Sequence, residues 1–218
     1  MTHDLFDKLM TAQKTKTVKQ RKIIETTIKL FAEKGFANTS TAEIAKMAEV
    51  SEGTIFKHYG TKDKLLLAIL LPFVKESLPS MANEVFDEIL TENTTTFDQF
   101  LRGVIKNRVD FINGNKELFR VFVKEIIYKD ELKKEIFPHF IKNISLFIIR
   151  AVEEFKQRGE IVNKPTNQIL KFIATVFGGF FVSRFALFED YTISEEEIEN
   201  VVCFVMDGIR SPLSETSS

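Results

Sequence analysis

Apolar positions recur every three or four residues along nearly the whole chain, and no stretch alternates in the manner of a strand. From about Thr17, Val18, Ile23, Ile24, Ile28, Leu30 and Phe31 form one face and Arg21, Lys22, Glu25 and Lys29 the other; Gly35 is placed to stop that helix. Two short helices should follow. Ser40 or Thr41 caps the first, in which Ile44, Ala45, Met47 and Ala48 share a face. Ala48-Glu49-Val50 is the turn, and Ser51 caps the second. There Ile55 and Tyr59 continue the apolar face, which leaves Glu52, Gly53, Thr54, Phe56, Lys57 and His58 outside. Gly60 ends this helix. Thr61 caps a longer one from Lys62 to about Ser77, which Pro72 should kink before Pro79 starts a fresh helix or turn.

Beyond residue 78 the pattern stays helical: Met81–Leu90, then Phe97–Ile112, a break at Asn113-Gly114-Asn115, then Leu118–Tyr128 and a charged piece, Lys129–Glu135. Pro138 suits the first turn of a long helix to about Arg158, where Gly159 stops it. Pro165-Thr166 opens another to about Phe188, and Ser194 with Glu197 has capping-box spacing for the last, which ends near Gly208. Residues 1–16 read as a frayed terminus or as a basic arm (Lys14, Lys16, Lys19), and the polar tail 211–218 as disordered. The fold class is all-α.

The helix 166–188 is apolar almost all round, and the last helix carries two apolar stripes: Ile198, Val201, Val202, Val205 and Ile209 on one, Cys203 and Phe204 on the other. Either the pair is deeply buried in a monomer or the surplus surface meets a partner. Of 22 phenylalanines, 18 lie beyond residue 64, enough to fill a core and also to line an apolar cavity.

Charge sharpens this division. Residues 1–64 carry 12 Lys+Arg against 8 Asp+Glu, and residues 65–218 carry 18 against 23. A small basic head on an acidic body suits phosphate binding by the head alone. One cysteine excludes an internal disulfide, there is no signal-peptide pattern, and no stretch is expected to reach the length of a membrane span; the chain should be cytoplasmic, with no membrane partner. No Gly-rich phosphate loop, H-E-x-x-H or Cys/His cluster is present, and the three histidines are far apart, so neither enzyme chemistry nor a metal or cofactor is expected.

A short helix with a small, polar and basic outer face suits a DNA major groove, although an ordinary helical hairpin fits the same spacing. The string from Phe31 to Leu65, F-A-E-K-G-F-A-N-T-S-T-A-E-I-A-K-M-A-E-V-S-E-G-T-I-F-K-H-Y-G-T-K-D-K-L, closely resembles the N-terminal helix-turn-helix of the tetracycline-repressor (TetR) family of bacterial transcription regulators. The resemblance implies a three-helix DNA-binding head over residues 1–64 and a helical ligand-binding and dimerisation body over 65–218. It further implies a homodimer that binds a near-palindromic operator in double-stranded DNA and is released by a small effector, here expected to be hydrophobic. A DNA-binding protein without an effector and a helical hydrophobic-ligand binder remain as alternatives.

By position, the resemblance puts Thr41, His58 and Lys62 at phosphates, Glu52, Gly53, Thr54 and Lys57 at base edges, and Ser51 at the start of the recognition helix; Phe56, which lacks a hydroxyl for phosphate, is expected against a thymine methyl instead. It makes Phe180, Phe181, Phe185, Ile198, Val201, Val202 and Val205 the dimer interface. Asn107, Arg108, Phe111, Phe122, Tyr128, Phe147, Phe177 and Ser183 are the candidates for lining an effector site. Three residues depart from the family pattern: Glu49 stands where the family usually has Gly, Phe56 where Tyr is common, and Tyr59 where Phe is usual.

Overall fold

The computed structural model describes residues 17–89 and 96–210, which are helical throughout apart from loops and one isolated bridge between Ile161 and Arg210. The expectations for the arm 1–16, for Leu90 to Thr95 and for the tail 211–218 lie outside the described residues. The helices are α1 (Val18–Lys34), α2 (Thr41–Met47), α3 (Glu52–Tyr59), α4 (Lys62–Ile89), α5 (Phe97–Gly114), α6 (Lys116–Tyr128), α7 (Asp130–Gln157), α8 (Thr166–Phe181) and α9 (Glu195–Ile209); a π-helical segment, Val182–Leu187, continues α8. The chain divides into two compact units, Met1–Ser77 with Gly114–His139, and Leu78–Asn113 with Phe140–Ser218. The division differs from a boundary at residue 64: α6 and the start of α7 belong with the head.

In the first unit local signals set the helix ends. Thr17 opens α1 with a reciprocal capping box to Gln20, and Gly35 at φ +83° closes it. Ser40, rather than Thr41, caps α2 through Glu43 N, and Ser51 caps α3 through Thr54 N. Glu49, in the turn between them, has φ +55°, the left-handed conformation for which the family's usual Gly is suited. Its carboxylate pairs with Lys22 across the turn, and that contact lowers its pKa below the ordinary carboxylate value. Ile23, Ile28, Phe31, Ile44, Ile55 and Leu65 are buried together in this unit, while Val18, expected on the apolar face, is 81% exposed. Against α1 packs α6.

Pro79 and Pro138 behave differently from expectation. Helix α4 continues through Pro72 and Pro79 to Ile89, and α7 begins at Asp130, so Pro138 lies inside it. Each proline removes one intrahelical hydrogen bond; around Pro72, Leu65, Leu66, Ile69, Leu70, Phe73 and Val74 of α4 are buried. In α7, Leu132 and Ile136 are buried just before Pro138, and Ala151, Val152 and Phe155 are buried beyond it.

The second unit is built on aromatic packing. Phe97, Phe100 and Phe155 are fully buried with ring centroids 5.1–5.9 Å apart. Arg102 on α5 grips Glu199 on α9 with two donors, at 2.5 and 2.8 Å, and Asp98 with a third at 2.8 Å. Helix α9 begins in a capping box between Ser194 and Glu197 and packs on α8.

The expectation of no membrane-length stretch is corrected here. Thr166–Leu187 spans 22 residues and is long and apolar enough to cross a bilayer by length and composition alone. Ile169, Ile173, Phe177 and Phe185 give it a buried face, and Lys171 and Arg184 interrupt it. Arg184 pairs with Asp190 at 3.1 Å and with Glu197 at 2.8 Å, which fastens the π segment to the start of α9.

Candidate nucleic-acid interface

Helices α2 and α3 and the turn between them present the residues picked out from the sequence. Glu52, Gly53, Phe56, Lys57 and His58 are exposed on α3, Thr54 is half-buried, and Ile55 is buried beneath them. Tyr59 is half-buried, and desolvation pushes its phenol up to about 12, so it stays neutral. Phe56 keeps 48% of its surface open, the large apolar group beside Lys57 on this face.

Several of these side chains are already held. The Thr41 hydroxyl donates to the Glu52 carboxylate at 2.5 Å, which ties the start of α2 to the start of α3 and orients the carboxylate. Ser51 and Thr54 share a hydroxyl–hydroxyl contact at 2.8 Å. His58 Nδ1 lies 3.2 Å from the Gln20 amide nitrogen on α1. Gly53 is the opposite case: a Cβ built there would meet only Ser51 Oγ, at 3.9 Å, so neither packing nor backbone conformation in the head asks for glycine.

Lys62, expected at a phosphate, turns inward. Its ammonium donates to the carbonyls of Phe36 and Thr39, both at 2.8 Å, and sits 4.2 Å from the centre of the Phe36 ring. Two of its three donors are thereby used by the loop between α1 and α2. Lys129 covers the same ring at 3.8 Å and pairs with Asp63 at 2.7 Å. Burial raises the Glu125 pKa, an effect that Lys129, Lys62 and the Phe36 N–H oppose. Sequence pattern had no means of finding this cluster, because its members are up to 93 residues apart.

Residues 23–69 match the family of bacterial regulatory proteins described as tetR. The helix-turn-helix of this chain is of the TetR type. Among its relatives is the HTH-type transcriptional regulator YuxN of Bacillus subtilis strain 168, 38% identical over 65 residues, which are 30% of this chain and 22% of that protein. The match thus spans about a fifth of that relative's length. Two TetR-like structures extend the likeness in fold to most of the chain. A tetR family transcription regulator from Shewanella sp. PV-4 superposes with a TM-score of 0.63 at 19% identity, covering 89% of this chain and 99% of its own. A transcriptional regulator from Saccharomonospora viridis, solved in complex with choline, gives 0.68 at 16% identity over 88% and 97%.

The residues expected at the dimer interface divide. Phe185, Ile198, Val202 and Val205 are buried inside the second unit and offer no open surface; Phe180, Phe181 and Val201 are half-buried. Of the two stripes on α9, the one expected outside faces in. Phe204 and Cys203 are exposed instead, and further along the same helix a Cβ at Gly208 would touch the Phe172 ring of α8 at 3.1 Å.

The expected effector residues also divide. Arg108 donates to Asn107 Oδ1 and lies 4.8 Å over the Phe111 ring, so these three come together on α5. Phe122 packs on Phe73 in the first unit, at 6.1 Å between centroids. Tyr128 is 84% exposed, Phe177 is buried in the second unit, and the Ser183 hydroxyl donates to Phe180 O at 2.9 Å. The Phe147 side chain lies outside those described.

Proposed function

We propose that this chain is a cytoplasmic, homodimeric transcription regulator that reads a near-palindromic operator with α3 and is released from it by a small effector. The observation that carries the DNA reading is Gly53: the head gives no steric or conformational reason for a glycine there, while a duplex backbone or base edge at van der Waals distance would. Around it, the oriented Glu52 carboxylate can accept from cytosine N4, Lys57 can donate to guanine O6 or N7, and Phe56 can cover a thymine methyl. Ser51 and Thr54 hold the start of the helix, and His58 and Thr41 flank it toward phosphate.

Selection of bound duplexes from a random pool tests this reading. The recovered sequence should contain two related half-sites, and Lys57→Ala should relax the preference at one position per half-site, costing about 1–3 kcal/mol there. Recovery of unselected sequence would overturn it. Gly53→Ala should separate folding from function: thermal melting of the head should improve by about 0.5–1 kcal/mol, while affinity for the selected duplex falls. Equal affinity of the two proteins would remove the reason given for the glycine.

For the effector, the Arg108–Asn107–Phe111 cluster supports a ligand with an acidic head and an apolar tail. The phenylalanine surplus supports it less than composition suggests, because Phe97, Phe100 and Phe155 fill a core and Phe172, Phe188 and Phe204 lie at the surface. Calorimetry with fatty acyl compounds should give binding that Arg108→Ala abolishes; no heat with any acyl compound would leave a regulator without this class of effector.

A further inference from the structure

The capping box that opens α1 fixes how the Gln20 amide is turned. Its Oε1 accepts from the Thr17 backbone N–H at 2.8 Å, and a main-chain N–H can only donate. The other end of the amide is therefore the NH2 group, which lies 3.2 Å from His58 Nδ1 on α3, 38 residues further along the chain. An amide NH2 can only donate as well, so Nδ1 must offer its lone pair, and a neutral imidazole then carries its proton on Nε2. We infer that Gln20 is a positioning residue of the DNA-binding face: it sets the His58 tautomer that keeps Nε2–H as a donor to a backbone phosphate. The inference rests on the proposal that α3 meets the duplex.

This relay joins the first turn of α1 to the recognition helix. Thr17 N–H, the Gln20 amide and the His58 ring form one donor-to-acceptor sequence that can run in only one direction. Among the described residues, two groups face the imidazole: Gln20 from α1, whose amide does not titrate, and the Tyr59 ring on its own helix, 6.3 Å away between centroids and neutral. Lys57, next to it in the chain, is a cation. In the alternative tautomer Nδ1–H would confront the amide NH2, and Gln20 could answer only by flipping, which strips the Thr17 N–H of its acceptor.

Gln20→Glu tests the relay without breaking the cap, because a carboxylate still accepts from Thr17 N–H. Toward His58 that carboxylate can only accept, so the proton moves to Nδ1. While the ring is charged, both nitrogens carry protons and Nε2–H still reaches the phosphate. Once the ring is neutral, Nε2 turns a lone pair toward the phosphate instead. With a duplex that the wild-type chain has selected from a random pool, wild-type affinity should change little between about pH 7 and about pH 9. Gln20→Glu affinity should fall by roughly 10-fold or more over that range, on top of a constant loss from its added negative charge. Combined with His58→Asn, the same substitution should give a flat profile. Imidazole 15N spectra should show the proton on Nε2 in the wild type and on Nδ1 in Gln20→Glu at high pH.

A wild-type proton on Nδ1, a Gln20→Glu profile parallel to the wild type, or a slope that survives His58→Asn would each overturn the inference while the DNA reading stands. A wild-type chain that selects no duplex overturns both.

Discussion

Phe204→Asp is expected to split the protein into single subunits and to abolish operator binding at concentrations where the wild type binds. Phe204 is 74% exposed on α9, Phe172 is 40% exposed on α8, and Leu187 and Phe188 are open at 68% and 73% at the end of the π segment. Gly178 and Gly179 on α8 have no atom within 4 Å of a built Cβ, so a second helix could approach there closely. A twofold interface uses the same patch twice, and burial of one phenylalanine contributes about 1.5–3 kcal/mol; its loss on both subunits should therefore cost about 3–6 kcal/mol of association. An aspartate would also carry an unpaired charge into whatever the face meets.

The control lies on the same helix. Val205 is fully buried on the opposite stripe, so Val205→Asp should unfold the second unit instead of separating folded subunits. Sedimentation equilibrium and circular dichroism together distinguish the two outcomes. A Phe204→Asp protein that remains dimeric, with undiminished affinity for DNA, would place the interface elsewhere.

That pair of variants also marks where the sequence stopped being readable. Periodicity identified both stripes on α9, but both are apolar, and a 3.6-residue period cannot say which faces inward. Packing on α8 decides it, and α8 is itself apolar nearly all round. The helix-turn-helix was legible for the opposite reason. Its punctuation is local: Ser40, Ser51 and Thr61 supply cap hydroxyls, and Gly35 and Gly60 supply the positive φ that stops each helix. The strain at Glu49 could also be anticipated, since the position in the turn dictates its φ.

Pro138 was misleading because a local rule about hydrogen bonds competes with long-range burial, and several fully buried side chains outweigh one missing bond. The inward bonds of Lys62 were hidden for a related reason. Its carbonyl acceptors, Phe36 O and Thr39 O, are left outside α1 once Gly35 ends that helix, and nothing in the spacing reveals that a lysine 26 residues later will reach them.

The consequence of that inward lysine is that Phe36→Ala should be the most damaging single change in the head. The ring is 9% exposed, meets Phe31 edge-on with centroids 5.2 Å apart, and is covered by the Lys62 and Lys129 ammonium groups at 4.2 and 3.8 Å. Truncation to alanine leaves a cavity and should cost about 3–5 kcal/mol, a large part of the roughly 5–15 kcal/mol that holds a domain together. Phe36→Leu restores most of the volume but offers no π face, so it should lose about 1–2 kcal/mol through the two cation contacts. Because Lys129 follows α6 directly and pairs with Asp63 at the start of α4, the loss should not stay in the head. Hydrogen exchange should quicken in α6 along with α1 in Phe36→Ala, as expected of one cooperative unit that includes Gly114–His139. Urea midpoints that fall in the order wild type, Phe36→Leu, Phe36→Ala would support this account. An alanine variant within about 1 kcal/mol of the wild type would mean that the ring is not the keystone of the unit.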